Sequence, residues 1–175
     1  YFAGYEQQDA HELFISALNG IHQHIGSNSG QCSCVVHRTF GSTLRSDVTC
    51  MACQNVSSSF DPCLDISLEI PHGEHTSLEE CLMNFTRPEF LGADNKLKCA
   101  RCGNYEQARK QMSLQRPAVA LCFQIKRFQR TMGSRKMVSS KIETGVSFPF
   151  ELNMAPYLSS KKKKKNAAAA AATVA

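Results

Sequence analysis

Two short segments, Cys50-Met-Ala-Cys53 and Cys99-Ala-Arg-Cys102, decide the fold of this chain. A Cys-x-x-Cys spacing lets both thiolates face the inside of one tight loop, and two such loops complete the tetrahedral ligand set of a structural zinc. The interval from Cys53 to Cys99 exceeds that of a compact zinc ribbon. We therefore predict a zinc site that joins two distant loops, with strands and a helix inserted between them. Free buried thiols and a redox pair are the alternatives, and redox chemistry is disfavoured because neither segment opens an evident helix.

A second group of candidate ligands lies upstream, in Cys32-Ser-Cys34-Val-Val-His37. The end of the preceding helix offers His22 or His24 as a fourth ligand. We predict that His22, Cys32, Cys34 and His37 hold a second zinc, and the choice of His22 over His24 stays open. In the alternative interpretation, Cys32 and Cys34 are small side chains beside a loop. Four protein ligands would close each metal shell, and the sequence contains no His-Glu-x-x-His segment, so both zincs are predicted to be structural.

The length of 175 residues and the hydrophobic share of 42% suit one globular domain, and no apolar run is long enough to cross a bilayer. Residues 1–160 have a varied pattern, whereas residues 161–175 consist mostly of lysine and then alanine. The formal net charge of +5 equals the charge of the lysine run Lys161–Lys165, so the domain is neutral and no direct nucleic-acid binding is expected. We expect the tail to be disordered or an artefact of gene prediction, and a nuclear-targeting or nucleic-acid-binding patch is the alternative.

Two amphipathic helices stand out in the pattern of apolar residues. Asp9 is predicted to cap the first helix, with Glu12 as the reciprocal residue of a capping box. The second helix covers 77–85, with Thr76 or Ser77 as its cap. The face of the first helix that is predicted to be apolar comprises Ala10, Leu13, Phe14, Ala17, Leu18 and Ile21.

The rest of the chain has a β-type pattern. Within residues 32–70, extended segments are predicted at 40–50 and 56–70, and Pro62 is expected either to break the second of these or to place it at an edge. Segments 107–114 and 118–128 are predicted to pair with each other, and Val119–Phe123 is apolar enough for a central strand. A last extended piece covers 146–154, with Pro149 inside it.

Four motifs in the right order connect this pattern with a known family. Gly4-Tyr-Glu-Gln-Gln-Asp-Ala-His-Glu12 resembles the Gln/Asp box of the ubiquitin-specific proteases, which are cysteine deubiquitinases with a papain-like core. Their Leu-x-Leu-Lys-Arg-Phe strand is similar to Leu121-Cys-Phe-Gln-Ile-Lys-Arg-Phe128, and their Phe-Pro segment is similar to Phe148-Pro-Phe-Glu-Leu-Asn-Met154. The paired Cys-x-x-Cys loops resemble the zinc-bearing fingers of the family. The resemblance covers residues 1–160. It implies an α+β fold, namely a partial papain-like domain with zinc-stabilised, β-rich fingers, palm and part of the helical thumb.

Several segments resemble one branch of this family, the branch in the histone-deubiquitinating module of the SAGA coactivator. That branch has an additional His/Cys/Cys/His zinc, and its helical histidine matches His22. One departure is Cys63, where the branch usually has an aromatic residue. The matching segments are Cys32-Ser-Cys-Val-Val-His37, Ser46-Asp-Val-Thr-Cys50, Phe60-Asp-Pro62, Leu64-Asp-Ile-Ser-Leu68 and Phe85-Thr-Arg-Pro-Glu89.

The resemblance also implies that the catalytic residues lie outside this sequence. The nucleophilic cysteine and its oxyanion-stabilising asparagine belong to a box before Tyr1, and the catalytic histidine belongs to a Gly-His-Tyr-type box after the Phe-Pro segment. Cys63, Cys81 and Cys122 are not credible replacements, because a free buried thiol is usually inert. We therefore expect an internal fragment of a thiol-dependent ubiquitinyl hydrolase, without catalytic residues and inactive alone.

By the same resemblance, the Gln/Asp box grips the C-terminal tail of ubiquitin, with Gln7, Asp9 and His11 as the substrate-binding candidates. The expected partners are ubiquitin, a ubiquitinated protein of the histone type and coactivator-complex subunits, and no membrane is involved. The expected location is the nucleus, with the cytoplasm as a second location. The alternative function is a non-enzymatic zinc-binding interaction module.

Overall fold

A computed structural model describes residues 9–25, 32–71, 73–92, 96–132, 137–159 and 171–173, with only the backbone at 129–132, 137–139 and 171–173. The helices of these ranges are α1 (Ala10–Ile25), α2 (Val35–Phe40) and α3 (Leu78–Thr86), and a 3-10 turn covers Ala155–Tyr157. In the described ranges, every helix is too short or too polar to span a bilayer. The strands are β1 (Ser42–Cys50), β2 (Val56–Cys63), β3 (Ile66–Glu69), β4 (His75–Ser77), β5 (Glu89–Leu91), β6 (Leu97–Lys98), β7 (Tyr105–Glu106), β8 (Ala108–Arg116), β9 (Phe123–Lys126), β10 (Phe128–Met132), β11 (Met137–Lys141), β12 (Gly145–Ser147), β13 (Glu151–Asn153) and β14 (Ala171–Thr173).

The largest sheet in the described residues is antiparallel and has the strand order β2-β1-β8-β5. Its two long central strands pair from Thr43–Arg116 to Cys50–Ala108, so the sheet carries the first Cys-x-x-Cys loop at its tip. Pro62 lies opposite Thr43 on the edge strand β2, as predicted, because an edge strand tolerates a residue without an N–H donor. Smaller two-stranded sheets pair β3 with β9, β4 with β12, β6 with β7, β10 with β11 and β13 with β14.

The main hydrophobic core lies at the base of this sheet, where α3 packs on β3 and on the end of β8. The prediction for α3 is confirmed: Ser77 caps it, and its hydroxyl accepts a hydrogen bond from the Glu80 N–H while the Glu80 carboxylate accepts one from the Ser77 N–H. The buried members of the core are Ile66, Leu68, Leu78, Cys81, Leu82, Leu114, Leu152, Met154 and Tyr157.

A second, smaller core joins α1 to α2. Leu18, Cys34 and Val36 are buried there, and the rings of Phe14 and Phe40 meet edge to face with centroids 5.7 Å apart. The predicted apolar face of α1 is only partly covered, since Leu13 remains 54% exposed. Periodicity marks such a stripe but does not show how much of it a neighbouring element will cover.

Several strand predictions were wrong. Residues 35–40 form the helix α2 and not a β-type run, and segment 56–70 divides into β2 and β3 at a bend over residues 64–65. Strand β8 pairs with β1 and β5 and not with the segment that follows it. Residues 117–122 are irregular and Val119 is 88% exposed, so the apolar run Val119–Phe123 is no central strand. The lack of an N–H at Pro117 favours this break.

Candidate functional site

Four thiols converge at the tip of the long sheet, from two loops with the same backbone pattern. In the first loop the Cys50 N–H donates to the Asn55 carbonyl and the Gln54 N–H donates to the Cys50 carbonyl. In the second loop Cys99 makes the equivalent pair of bonds with Asn104 and Gly103. The residue after each second cysteine is left-handed, with φ of 56° at Gln54 and 76° at Gly103. Such a φ is unfavourable for a residue with a side chain. The rest of the loop must therefore hold Gln54 in this conformation, whereas Gly103 adopts it easily.

The sulfur positions suit a tetrahedral metal. The Sγ atoms of Cys50, Cys53, Cys99 and Cys102 all lie within 4.8 Å of one another, and the Cys53–Cys99 distance is 3.6 Å. Zinc–sulfur bonds of about 2.3 Å at tetrahedral angles place two sulfurs roughly 3.8 Å apart. The sequence-predicted ligand set is therefore brought together in a geometry that can hold a metal ion.

The electrostatics of these thiols also favour a cation. The backbone N–H groups of Cys102 and Arg101 lower the pKa of Cys99 to about 6. The Asn55 N–H favours the Cys53 thiolate, but burial and the neighbouring thiols outweigh it and raise the pKa of Cys53 to about 11. Without a cation, one ionised sulfur thus opposes ionisation of its neighbours. A bound metal ion would allow all the ligands to ionise together.

The second predicted ligand set is also assembled, where the last half of α1 meets α2. His22 Nδ1 lies 3.4 Å from Cys34 Sγ and 3.5 Å from Cys32 Sγ, and His37 Nδ1 lies 3.2 Å from Cys34 Sγ. These separations match nitrogen and sulfur ligands on one tetrahedral ion. His24 is exposed and is not part of the group, so the geometry selects His22.

Helix α2 explains this arrangement, and the sequence reasoning had missed it. Cys34 immediately precedes the helix and His37 is three residues further on, so one helical turn places the imidazole above the thiol. The backbone N–H and side chain of His37 lower the pKa of Cys34 to about 6. Spacing of three residues between a thiol and a histidine was the available signal for a helical turn in this segment.

The remaining thiols have no feature of a nucleophile. Burial raises the pKa of Cys63, Cys81 and Cys122, which keeps each of them protonated near neutral pH. Asp65 adds to this effect at Cys63 and Cys122 because its negative charge opposes a nearby thiolate.

The predicted substrate-binding residues lie at the start of α1, except Gln7, which is outside the described residues. Asp9 caps the helix, but its Oδ1 accepts from the His11 N–H and not from Glu12. The His11 ring turns toward the main core, where Nε2 lies 3.0 Å from Asp65 Oδ2. Sequence reasoning did not single out Asp65, although a carboxylate between Leu64 and Ile66 in an apolar run was a signal for a buried partner.

Comparison with known proteins places these features in one family. The family model described as ubiquitin carboxyl-terminal hydrolase matches residues 1–170. Ubiquitin carboxyl-terminal hydrolase 27 of Mus musculus is 40% identical over 91% of this chain, and ubiquitin carboxyl-terminal hydrolase 22 of Bos taurus is 38% identical over 91%. The chain covers only 42% and 36% of these two relatives.

Solved structures with the same fold come from the SAGA DUB module. The module of Ubp8, Sgf11, Sus1 and Sgf73 bound to ubiquitin aldehyde matches with a TM-score of 0.79 and 36% identity, over 93% of this chain and 35% of that one. A second structure of the module, with a variant of Ubp8 and bound to monoubiquitin, matches with a TM-score of 0.78 and 37% identity, over 90% and 35%. The predicted α+β fold with β-rich fingers is thereby confirmed. The chain belongs to the ubiquitin carboxyl-terminal hydrolase family, as a ubiquitin-specific protease related to the SAGA branch.

Proposed function

We propose that this chain is the ubiquitin-holding part of a thiol-dependent deubiquitinase that hydrolyses ubiquitin isopeptide bonds, with monoubiquitinated histone as its substrate. The observation that carries the proposal is the assembly of two separate four-ligand clusters in a chain of this family. In this proposal, residues 1–160 form a partial catalytic domain. Residues 161–175 form a low-complexity tail. The backbone of Ala171–Thr173 pairs with Glu151–Asn153, and residues 161–170 lie outside the described structure.

Zinc is the metal that fits both clusters. A set of four thiols and a set of two thiols with two imidazoles are the ligands that structural zinc prefers. Cys50, Cys53, Cys99 and Cys102 would hold one ion, and His22, Cys32, Cys34 and His37 the other. With four protein ligands each, the ions would cross-link the loops and would leave no coordination position for a substrate.

The partners follow from the related structures. Two of them contain ubiquitin aldehyde or monoubiquitin together with Sgf11, Sus1 and Sgf73. By analogy, ubiquitin would bind this chain with its tail at the Gln/Asp box, through Gln7, Asp9 and His11. Coactivator subunits would bind elsewhere on the enzyme, and the protein would act in the nucleus. The protonated state of Cys63, Cys81 and Cys122 supports the expectation that this chain alone does not cleave ubiquitin conjugates.

Titration of ubiquitin into the zinc-loaded chain tests this function. We expect saturable binding of ubiquitin, weaker binding of a ubiquitin-like modifier with the same fold but a different tail, and no cleavage of a fluorogenic ubiquitin-tail reporter. Monoubiquitinated histone should bind at least as tightly as free ubiquitin. Failure of the zinc-loaded chain to bind ubiquitin would contradict the proposal, and reporter turnover by this chain would contradict the assignment of catalysis to other segments.

A further inference from the structure

We propose that Asp65 is a positioning residue for the Gln/Asp box: it holds the His11 ring and thereby fixes the first turn of α1, where the ubiquitin tail would bind. The inference rests on the proposed function, because it concerns how this chain presents that box.

The contact joins two partly buried groups. His11 Nε2 lies 3.0 Å from Asp65 Oδ2, and the two side chains are only 26% and 16% exposed. The nitrogen atom itself is buried, and within the described part of the chain it has no aligned hydrogen-bond partner. The interaction is therefore a close electrostatic contact, and Asp65 is the group that compensates the desolvation of this nitrogen.

Asp65 is well suited to hold another residue because its own position is fixed. It directly precedes β3, whose first N–H, from Ile66, donates to the Cys122 carbonyl at 2.9 Å. The Ser67 hydroxyl lies 3.4 Å from Asp65 Oδ2 and donates to Gln124 Oε1 at 2.5 Å. Ile66 is buried in the main core. The carboxylate thus lies next to a residue of the main core.

Among the described residues, in contrast, the main core and the side chains packed against it include no residue of α1. The helix is held near its middle by the small cluster around Leu18, and Leu13 in the first turn is exposed. His11 holds this turn through two contacts, one from its backbone and one from its ring. Its N–H donates to Asp9 Oδ1 at 2.9 Å while its ring contacts Asp65. Loss of the ring contact would free the turn, and with it the carboxylate of Asp9.

Binding of two forms of ubiquitin separates positioning from general stability. Intact ubiquitin and ubiquitin without its C-terminal tail are titrated into the zinc-loaded chain and into Asp65→Ala. We expect about a tenfold weaker affinity of Asp65→Ala for intact ubiquitin, which is the size of one lost charged contact of about 1.4 kcal/mol, and no change for the tailless form. His11→Ala should have the same effect, and the double variant should be no worse than either single variant.

A further variant serves as a control. Asp61→Ala removes an exposed carboxylate from the neighbouring strand β2 and should keep the wild-type preference for the tail. Zinc content and thermal unfolding of each variant show whether the fold is intact.

The outcomes distinguish this inference from the proposed function. If the wild-type chain binds both forms of ubiquitin equally, or binds neither, the proposed role of the Gln/Asp box fails and the inference fails with it. If the wild-type chain prefers the intact form and Asp65→Ala keeps that preference, only the positioning role is overturned. Equal weakening of both forms in Asp65→Ala would assign Asp65 a purely structural role and would also overturn it.

Discussion

Replacement of Cys99 by serine should unfold the tip of the fingers while leaving the rest of the chain folded. Cys99 is the buried member of the second loop and lies 3.6 Å from Cys53 of the first loop. A serine hydroxyl is a poor zinc ligand, so we expect this variant to lose the metal at the tip.

The magnitude follows from how little else holds the tip together. Strands β6 and β7 contain two residues each, and their apolar side chains are exposed, with Leu97 at 43% and Tyr105 at 65%. Burial of these fractions contributes only about 1–2 kcal/mol. Ordering the backbone of residues 97–106 costs on the order of 10–15 kcal/mol. A structural zinc contributes roughly 10–16 kcal/mol, which balances that cost.

Hydrogen exchange measured residue by residue is the appropriate assay. In Cys99→Ser, the amides of Gly103 and of the residue at position 99, which are hydrogen-bonded in the wild type, should exchange at nearly the rate of an unfolded chain. Amides of β3 and α3 should keep most of their protection. Cys81→Ser is a matched control, because Cys81 is a fully buried thiol of the main core. That variant should lower protection throughout the core and leave the zinc content unchanged.

The opposite pattern would refute this reasoning. If Cys99→Ser kept its zinc and the protection of Gly103, the loops would be stabilised by something other than a metal. If it instead lost protection throughout α3 and β3, the metal and the main core would form a single cooperative unit, and the separation of tip and base would be wrong.

Three further predictions concern individual side chains. Glu80→Gln should remove a part of the stability that depends on pH, because the Thr76 hydroxyl and the Ser77 N–H lower the pKa of the Glu80 carboxyl in the folded state below its ordinary 4.5. The stabilisation by Glu80 is present above pH 4.5 and is lost as the pH falls through the lower pKa of the folded state, so urea unfolding of both proteins is compared at pH 3 to 6. Leu82→Ala should lower the free energy of unfolding by about 3 kcal/mol in urea denaturation, because Leu82 is fully buried in the main core. His37→Ala should reduce the zinc content by one ion per chain in elemental analysis, without loss of the other.

Local chemistry could be read from the sequence, and long-range pairing could not. Each Cys-x-x-Cys pair and the cap of α3 depend on residues close in the chain, whose spacing fixes their geometry. Strand β8 pairs with residues 42–50 and 89–91. The apolar segment directly after β8 was the expected partner, and its sequence did not indicate that β8 would pair elsewhere. The distinction between the exposed run at Val119 and the buried strand β3 likewise depends on which neighbours arrive to cover them.

The role of His11 illustrates the same limit within the candidate site. The motif identified the residue, and the resemblance implied a contact with substrate. The structure shows that its ring contacts Asp65, which lies far along the chain. The pairing of these two residues depends on how α1 packs beside the start of β3, and local spacing contains no information about that.

Zinc content combined with X-ray absorption at the zinc edge is the most direct test of the two proposed metal sites. We predict two zinc ions per chain, with an average shell of three sulfurs at about 2.3 Å and one nitrogen at about 2.0 Å, because one site has four thiolates and the other has two thiolates and two imidazoles. Fewer than two ions, or a shell rich in oxygen, would contradict it.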